Sequence, residues 1–391
     1  MPSAFQLSAP AIPKVRIALI GLGERGFKTL KRYAFIKGAE ITCLVDIKKE
    51  RLHAANKALM ESGREPALTF YGEEAWKLAC KLPNIDLVYI CTEWHTHTAM
   101  AVYAMLHGKH VAVEVPAATT IDECWQLVRT AETTQKHLFM TENCCYDLFA
   151  LETNEMHRQG VFGNITHCEG AYIHHLKPVT EAGDYKKPHY NWMIDACARH
   201  GGNPYPTHGI GPIAQLLRFH RPNGDRMKRL VALSSGRNSC CSSTTNTKGH
   251  INTALIQTER GVSIVLQLDV TTPRPYSRMQ TVCGTEAFVQ KYPFATVQLP
   301  NKEAVYNEEA LQQMEQFATN EGALLWKKGH QLGVSNEMNY AMDARLIHCL
   351  NNGLPLDIDV YDAAEWSCLA ELTKLSVQEN GMPVEVPVFF S

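Results

Sequence analysis

Two groups of residues in this chain have the types and spacing that chemistry requires. The first is Gly21-Leu22-Gly23-Glu24-Arg25-Gly26, which follows the apolar run Val15 to Ile20 and leads into a helical pattern from Phe27 to Phe35. In G-x-G-x-x-G the first glycine permits a tight turn, the second lets backbone approach a pyrophosphate, and the third lets the helix pack close to its strand. The pyrophosphate would rest on the helix N-terminus, where unpaired N–H groups and the macrodipole favour an anion. The glycines alone are equally compatible with an ordinary turn. Asp46 argues against that, because it closes a second strand, Glu40 to Val45, twenty residues beyond Gly26. A carboxylate there accepts hydrogen bonds from an adenosine ribose 2′-OH and repels a 2′-phosphate, so NAD is expected rather than NADP.

The second group lies in Gly201-Gly202-Asn203-Pro204-Tyr205-Pro206-Thr207-His208-Gly209-Ile210-Gly211-Pro212, ahead of an expected helix from Ile213 to Phe219. A histidine and a phenol can both move protons during carbonyl chemistry, and here Tyr205 and His208 stand three positions apart. The competing reading is a buried histidine capping the helix. Tyr172 and His174 alternate on one strand and therefore share a face, which suits either sugar hydroxyls or an ordinary polar sheet surface. Tyr276 follows a further strand, in the segment Asp269 to Arg278.

The elements that must position these groups change character along the chain. From Val15 to about Asn143, strands and amphipathic helices alternate, with further strands at Leu68 to Tyr71, Asp86 to Cys91, Val111 to Val115 and Leu138 to Thr141. That rhythm predicts a Rossmann domain, a doubly wound parallel sheet with helices on both faces. After Cys144 a helix from Asp147 to Arg158 gives way to β-rich segments at Ile165 to Ile173, Met227 to Ser235, Thr253 to Thr258, Ser263 to Thr271, Arg278 to Cys283 and Ala287 to Gln290. Strands in succession predict a C-terminal α+β domain with a large open, mainly antiparallel sheet. Helices are expected again at Glu308 to Thr319, Glu337 to Asn351 and Val360 to Glu379, and a long loop from Lys177 to Pro206. The domains are accordingly an arm at 1–13, a dinucleotide-binding domain at 14–145, and a substrate and oligomerisation domain at 146–391.

Composition narrows the possibilities. At 391 residues, two domains are the prior. A net charge of −2 gives no electrostatic footprint for nucleic acid or an anionic membrane, and no uninterrupted apolar span is long enough to cross one. Met1 to Pro13 carries no export signal. The 13 cysteines are scattered without C-x-x-C, and the pairs Cys144-Cys145 and Cys240-Cys241 suggest no disulfide framework, so a reducing cytoplasm is expected. No H-E-x-x-H or paired Cys/His spacing indicates a metal site.

In parallel α/β sheets ligands bind beyond the carboxyl ends of the strands. Three more strand ends therefore matter: Thr92-Glu93-Trp94-His95-Thr96-His97, Glu114-Val115-Pro116-Ala117-Ala118 and Glu142-Asn143-Cys144-Cys145-Tyr146. Loop polarity and helix capping compete with a role at nicotinamide and ribose.

G-L-G-E-R-G with Asp46, T-x-x-x-x-H after the fourth strand, G-K-H-V-A-V-E-V-P and a β-rich second half resemble the glucose–fructose oxidoreductase/inositol dehydrogenase (Gfo/Idh/MocA) family from about Val15 onward. Within that family E-V-P-A-A (114–118), E-N-C-C-Y (142–146), E-G-A-Y-I-H (169–174), Y-P-T-H-G-I-G-P (205–212), R-P-Y-S-R (274–278) and L-P-L-D-I-D-V-Y-D-A-A-E-W (354–366) are similar to the NAD-dependent α-N-acetylgalactosaminidases. The resemblance implies NAD held by Gly21, Gly23, Glu24, Arg25, Gly26, Asp46, Thr92, Trp94, His97, Glu114, Val115, Asn143, Thr207 and His208. It implies sugar contacts from Tyr172, His174, Trp192, Tyr205 and Tyr276, with His208 and Tyr205 catalytic. Dehydrogenases of the wider family carry a proton-transferring lysine where this chain has Val115; the glycosidase-like subgroup has valine. That subgroup also has a substrate-contacting arginine after the tryptophan at Trp192, where this chain has Met193, which cannot supply a charged, forked donor.

The implied function is an NAD-dependent enzyme acting on a sugar or glycoside through a redox-neutral cycle: C3 oxidation, elimination, water addition and re-reduction. The alternatives are a conventional sugar or polyol dehydrogenase and a non-catalytic NAD-binding protein. Self-association through the C-terminal sheet is a further expectation.

Overall fold

The computed structural model describes residues 3–176, 189–235 and 251–390. Residues 177–188 of the expected long loop, and the Cys240-Cys241 pair, lie outside these. Two compact units emerge, one from Met1–Tyr146, Glu321–Ser367 and Phe389–Ser391, the other from Asp147–Asn320 and Cys368–Val388. Glu321–Ser367 packs within the first of these units.

The first unit holds six parallel strands, β1 (Val15–Ile20), β2 (Ala39–Asp46), β3 (Leu68–Tyr71), β4 (Leu87–Ile90), β5 (His110–Val113) and β6 (Leu138–Met140), in the order β3-β2-β1-β4-β5-β6. Central strands of such a sheet are covered on both faces and read as unbroken apolar runs; β4 and β5 are buried at every position. The order reverses between β1 and β4, which opens a crevice at their carboxyl ends. The helix Ile121–Thr134 starts on a complete capping box of Thr120 and Glu123.

The helix Glu337–Asn352 brings Asp343, wholly buried, onto Arg32 at 2.6 Å and the Tyr89 hydroxyl at 3.0 Å. Breaking such a buried pair by removing one partner costs about 3–5 kcal/mol. Local spacing could not reveal it, because 311 residues separate Arg32 from Asp343.

Among the described residues the second unit is built on nine strands, β7 (Ile165–Ile173), β8 (Met227–Ser234), β9 (Ile251–Thr258), β10 (Ser263–Asp269), β11 (Ser277–Gly284), β12 (Phe288–Gln290), β13 (Thr296–Gln298), β14 (Val305–Tyr306) and β15 (Val384–Glu385). Their order is β14-β13-β12-β11-β7-β10-β9-β8-β15. The pairing of β7 with β10 is parallel and the others are antiparallel. The expected mainly antiparallel sheet is therefore present, with β13, β14 and β15 added; at two or three residues they are too short for a periodic signal. On β10, Ile264, Leu266 and Leu268 alternate inward and are fully buried.

Two expectations for this region are corrected. The segment His189–His200 is a helix where a loop was expected. The next helix starts at Thr207 rather than Ile213 and ends at Leu217, so His208 stands in its first turn. The glycines that suggested a loop serve close packing instead. A Cβ on Gly209 would lie 2.8 Å from the Ala171 backbone nitrogen, and one on Gly170 would lie 2.2 Å from the Gly209 carbonyl oxygen. Every residue of this helix except Gln215 is buried. Among the described residues no helix is long and apolar enough to cross a membrane.

Candidate active site

In the first unit the glycine turn has the form that a dinucleotide needs. Gly21, at φ +86°, donates its N–H to the Val45 carbonyl at 2.9 Å; a Cβ there would meet the Cys91 carbonyl at 2.6 Å. At Gly26 a Cβ would come within 1.8 Å of the Gly21 oxygen, so strand and helix touch through backbone alone. Gly23 differs, because a Cβ built on it meets nothing closer than the Arg51 guanidinium at 4.0 Å. Its bare backbone opens the helix Glu24–Arg32 with no side chain capping the first N–H groups. Open space, uncapped donors and a helix N-terminus together fit a pyrophosphate.

Asp46 is buried, its Oδ2 accepting from the Leu22 N–H at 2.6 Å and its Oδ1 from the Lys48 N–H at 2.8 Å. The carboxylate thus holds the glycine turn in place while sitting at the end of β2, where a ribose would be read. Arg51 stands 3.5 Å from it. The sequence reading overlooked this cation, although a residue two positions into the helix Lys49–Glu61 faces back toward the end of β2.

Glu24 pairs with Lys28 at 2.6 Å, and Arg25 donates to Glu114 at 2.6 Å. Burial works against the Arg25 charge, but Glu114, with smaller contributions from the nearby Tyr89 and Cys91, outweighs it and raises the guanidinium pKa above its ordinary value. Thr92 is bonded to Thr96, and Trp94 opens the helix Trp94–Leu106. On that helix His97 is fully buried, its Nδ1 2.8 Å from the Pro116 carbonyl and its Nε2 3.1 Å from that of Thr92. Burial is the larger influence and lowers its pKa, opposed by the two carbonyls, which both favour the protonated ring because a neutral imidazole has an N–H for only one of them. Val115 is buried, and the Asn143 side-chain amide donates to the Asn339 side-chain oxygen Oδ1 at 3.2 Å.

The second unit gathers the proposed proton-transfer and sugar-contacting residues. The Tyr205 hydroxyl and His208 Nε2 are joined by a hydrogen bond of 2.9 Å. Ahead of them the Asn203 side chain accepts from the Tyr205 N–H at 3.1 Å, and the Asn203 N–H donates to Thr373 Oγ1 at 2.8 Å, which fixes the approach to the helix. The close contact at Gly170 and Gly209 then sets this helix on β7. Tyr172 consequently lies edge-on to Tyr205 at 5.0 Å between ring centres and 5.5 Å from the His208 ring. Its hydroxyl meets His174 Nδ1 at 3.0 Å, and the His174 ring lies 5.3 Å from Tyr276. Two buried polar atoms, Asn203 Nδ2 and Thr207 Oγ1, lack a hydrogen-bond partner among the described residues. Such atoms beside a cluster of donors suit a polar ligand.

Trp192 lies on the helix His189–His200, half-buried, followed by the buried Met193. The structure adds two residues to this cluster that the sequence reading left out, Arg278 and Tyr292, in ring contact with Tyr276. Arg278 was within reach of sequence reasoning, since it stands two positions from Tyr276 and a strand has period two. Tyr292 lies beyond a turn and carried no signal.

Residues 15–142 match the model of the oxidoreductase family with an NAD-binding Rossmann fold, and residues 146–391 match the glycosyl hydrolase 109 C-terminal domain. An α-N-acetylgalactosaminidase of Bacteroides fragilis is 50% identical, the alignment covering 98% of this chain and 93% of that protein. A glycosyl hydrolase family 109 protein of Phocaeicola vulgatus is 48% identical, covering 99% and 97%. The crystal structure of an inositol dehydrogenase homolog from Azotobacter vinelandii, complexed with NAD+, superposes with a TM-score of 0.70 at 18% identity over 98% of this chain and 100% of that one. That likeness establishes the shared fold. With both halves matched and half-identical relatives aligned along nearly the whole length, the chain belongs to glycosyl hydrolase family 109 and is an NAD-dependent enzyme acting on a sugar.

Proposed function

We propose that the enzyme hydrolyses an α-linked N-acetylgalactosaminide or a closely related α-glycoside without net redox change. The reading is carried by the hydrogen-bonded Tyr205–His208 pair packed against Tyr172, in a chain half-identical to an α-N-acetylgalactosaminidase. When bound, NAD supplies reversible hydride exchange at the sugar C3. Gly21, Gly23 and Gly26 would hold its pyrophosphate, Asp46 its adenosine ribose, and Thr92, Trp94, His97, Glu114 and Asn143 its nicotinamide end.

The chain's own residues then handle protons. A carbonyl at C3 acidifies the neighbouring C2 proton, which the Tyr205–His208 pair removes as the bond from C1 to the aglycone breaks. The departing oxygen takes up a proton; water adds its hydroxyl to C1 and C2 regains a proton, so atoms balance over the cycle. Val115 has no ionisable atom and takes no part in proton transfer. Tyr172, His174, Trp192 and Tyr276 would orient the sugar.

The test is hydrolysis of nitrophenyl α-glycosides in deuterium oxide without added cofactor. The expected result is nitrophenol release, no accumulation of reduced nicotinamide and deuterium at C2 of the freed sugar. Reduced nicotinamide growing in step with product would make the enzyme a conventional dehydrogenase, and unlabelled C2 would rule out the elimination route.

We also infer self-association through the second unit's sheet, supported by Leu233 on β8 and Leu255 on β9, 62% and 54% exposed on one face. Light scattering would detect it. The eleven described cysteines are all free thiols, which supports a reducing, cytoplasmic setting.

A further inference from the structure

Arg278 takes no part in the assignments above, yet β11 delivers its charge to the same cluster. β11 pairs with β7 from Ser277 opposite Ile173 and shifts register three times, the first two placing Met279 opposite Gly170 and Thr281 opposite Glu169. Within the second shift Met279 and Gln280 lie in succession at φ of 59° and 52°, the left-handed region that residues with a Cβ avoid. A bulge of this kind re-aims the side chains beside it, and such strain persists only where surrounding structure enforces it.

The side chain so aimed is Arg278. Its guanidinium carbon lies 4.8 Å from the Tyr172 ring centre and 5.4 Å from that of Tyr276. Its Nε donates to the Tyr276 hydroxyl oxygen at 2.6 Å. A phenol that accepts on one side must point its own proton elsewhere, so Tyr276 becomes a directed donor. The cation over Tyr172 restrains the ring whose edge meets Tyr205 and His208.

We propose that Arg278 is a positioning residue for the sugar, fixing Tyr276 as a hydrogen-bond donor to a sugar oxygen and clamping Tyr172 beside the Tyr205–His208 pair. The proposal rests on the assignment of sugar chemistry to this cluster. Lysine could not substitute, because a point charge has no planar fork to bond Tyr276 while keeping its charge over Tyr172.

The experiment compares full-length wild type with Arg278→Gln, Arg278→Lys and Arg278→Gly. Calorimetry measures affinity for N-acetylgalactosamine and for galactose, and steady-state assays measure kcat and KM on the nitrophenyl α-glycoside that wild type cleaves fastest. Arg278→Gln is expected to bind sugar about tenfold more weakly, the scale of one charge-assisted hydrogen bond. Its kcat/KM should fall about 10²–10³-fold, as when a preorganised donor is lost. Melting temperature and nucleotide content should stay at wild-type values, Arg278→Lys should recover little, and guanidinium ion, but not sodium at equal ionic strength, should restore Arg278→Gly. Wild-type sugar affinity in Arg278→Gln would overturn the proposal, as would losses that track melting temperature and resist guanidinium. The affinity measurement needs no turnover, so it decides on Arg278 even where the hydrolytic reading fails.

Discussion

Gly170→Ala is the substitution whose consequence can be worked most directly from the structure. The new methyl carbon would stand 2.2 Å from the Gly209 carbonyl oxygen, 2.8 Å from its carbon and 3.0 Å from its Cα. An ordinary contact needs more than 3 Å, and every atom it meets is backbone, so no rotamer change relieves the clash. Strand β7 and the helix Thr207–Leu217 must separate by about 1 Å. Overpacking of this kind costs about 1–3 kcal/mol.

The functional consequence is larger. Tyr172 stays with β7 while His208 and the hydroxyl of Tyr205 move with the helix, opening ring contacts of 5.5 and 5.0 Å. A misplacement of about 1 Å in a catalytic constellation can cost about 10²-fold in rate. The assay is kcat on a nitrophenyl α-glycoside, normalised to folded protein by circular dichroism, with nucleotide content measured after denaturation. We expect kcat to fall about 10²-fold with nucleotide content intact, since the glycine turn belongs to the other unit. Wild-type kcat per folded molecule, alongside a lowered melting temperature, would show that the Tyr172–His208 contact does no catalytic work.

Four further outcomes are expected. Tyr205→Phe and His208→Ala should each lower kcat by about 10²–10⁴-fold, the range of a positioned acid–base group, measured on the same substrate. Calorimetry of the nucleotide-free enzyme should show NAD binding more tightly than NADP; Asp46→Ser should narrow or reverse that preference by leaving Arg51 to meet a 2′-phosphate. Gly26→Ala should abolish nucleotide retention, because its Cβ would overlap the Gly21 carbonyl at 1.8 Å. His110 and His137 are buried, and burial pushes their pKa values down to about 3 and about 4, while the His137 backbone N–H donates to His110 Nδ1 at 3.1 Å. Both rings are neutral when folded and take up protons on unfolding. Their contribution is therefore complete above about pH 6.5 and is lost toward pH 4 at about 1.4 kcal/mol per pH unit per histidine, a slope in the denaturation midpoint that His110→Gln/His137→Gln should flatten.

The sequence by itself determined whatever depends on neighbours in the chain. The turn from Gly21 to Gly26, Asp46 at the end of the next strand and the helix from Ile121 to Thr134 could be read because period, capping and glycine placement act within a few residues. The nine-stranded sheet was anticipated in kind, since its longer strands alternate. What escaped was set by contacts between distant segments. The helix at Thr207 looked like a loop because Gly209 and Gly211 weaken local helix propensity; the backbone approach of Gly209 to Gly170 supplies the reason for glycine, and only the packed sheet shows it. Arg278 reaches Tyr172 through strand pairing and a bulge across about a hundred residues of chain. Glu321–Ser367 joins the first unit because buried Asp343 satisfies Arg32, and a charge removed from water must find its partner wherever the chain brings one.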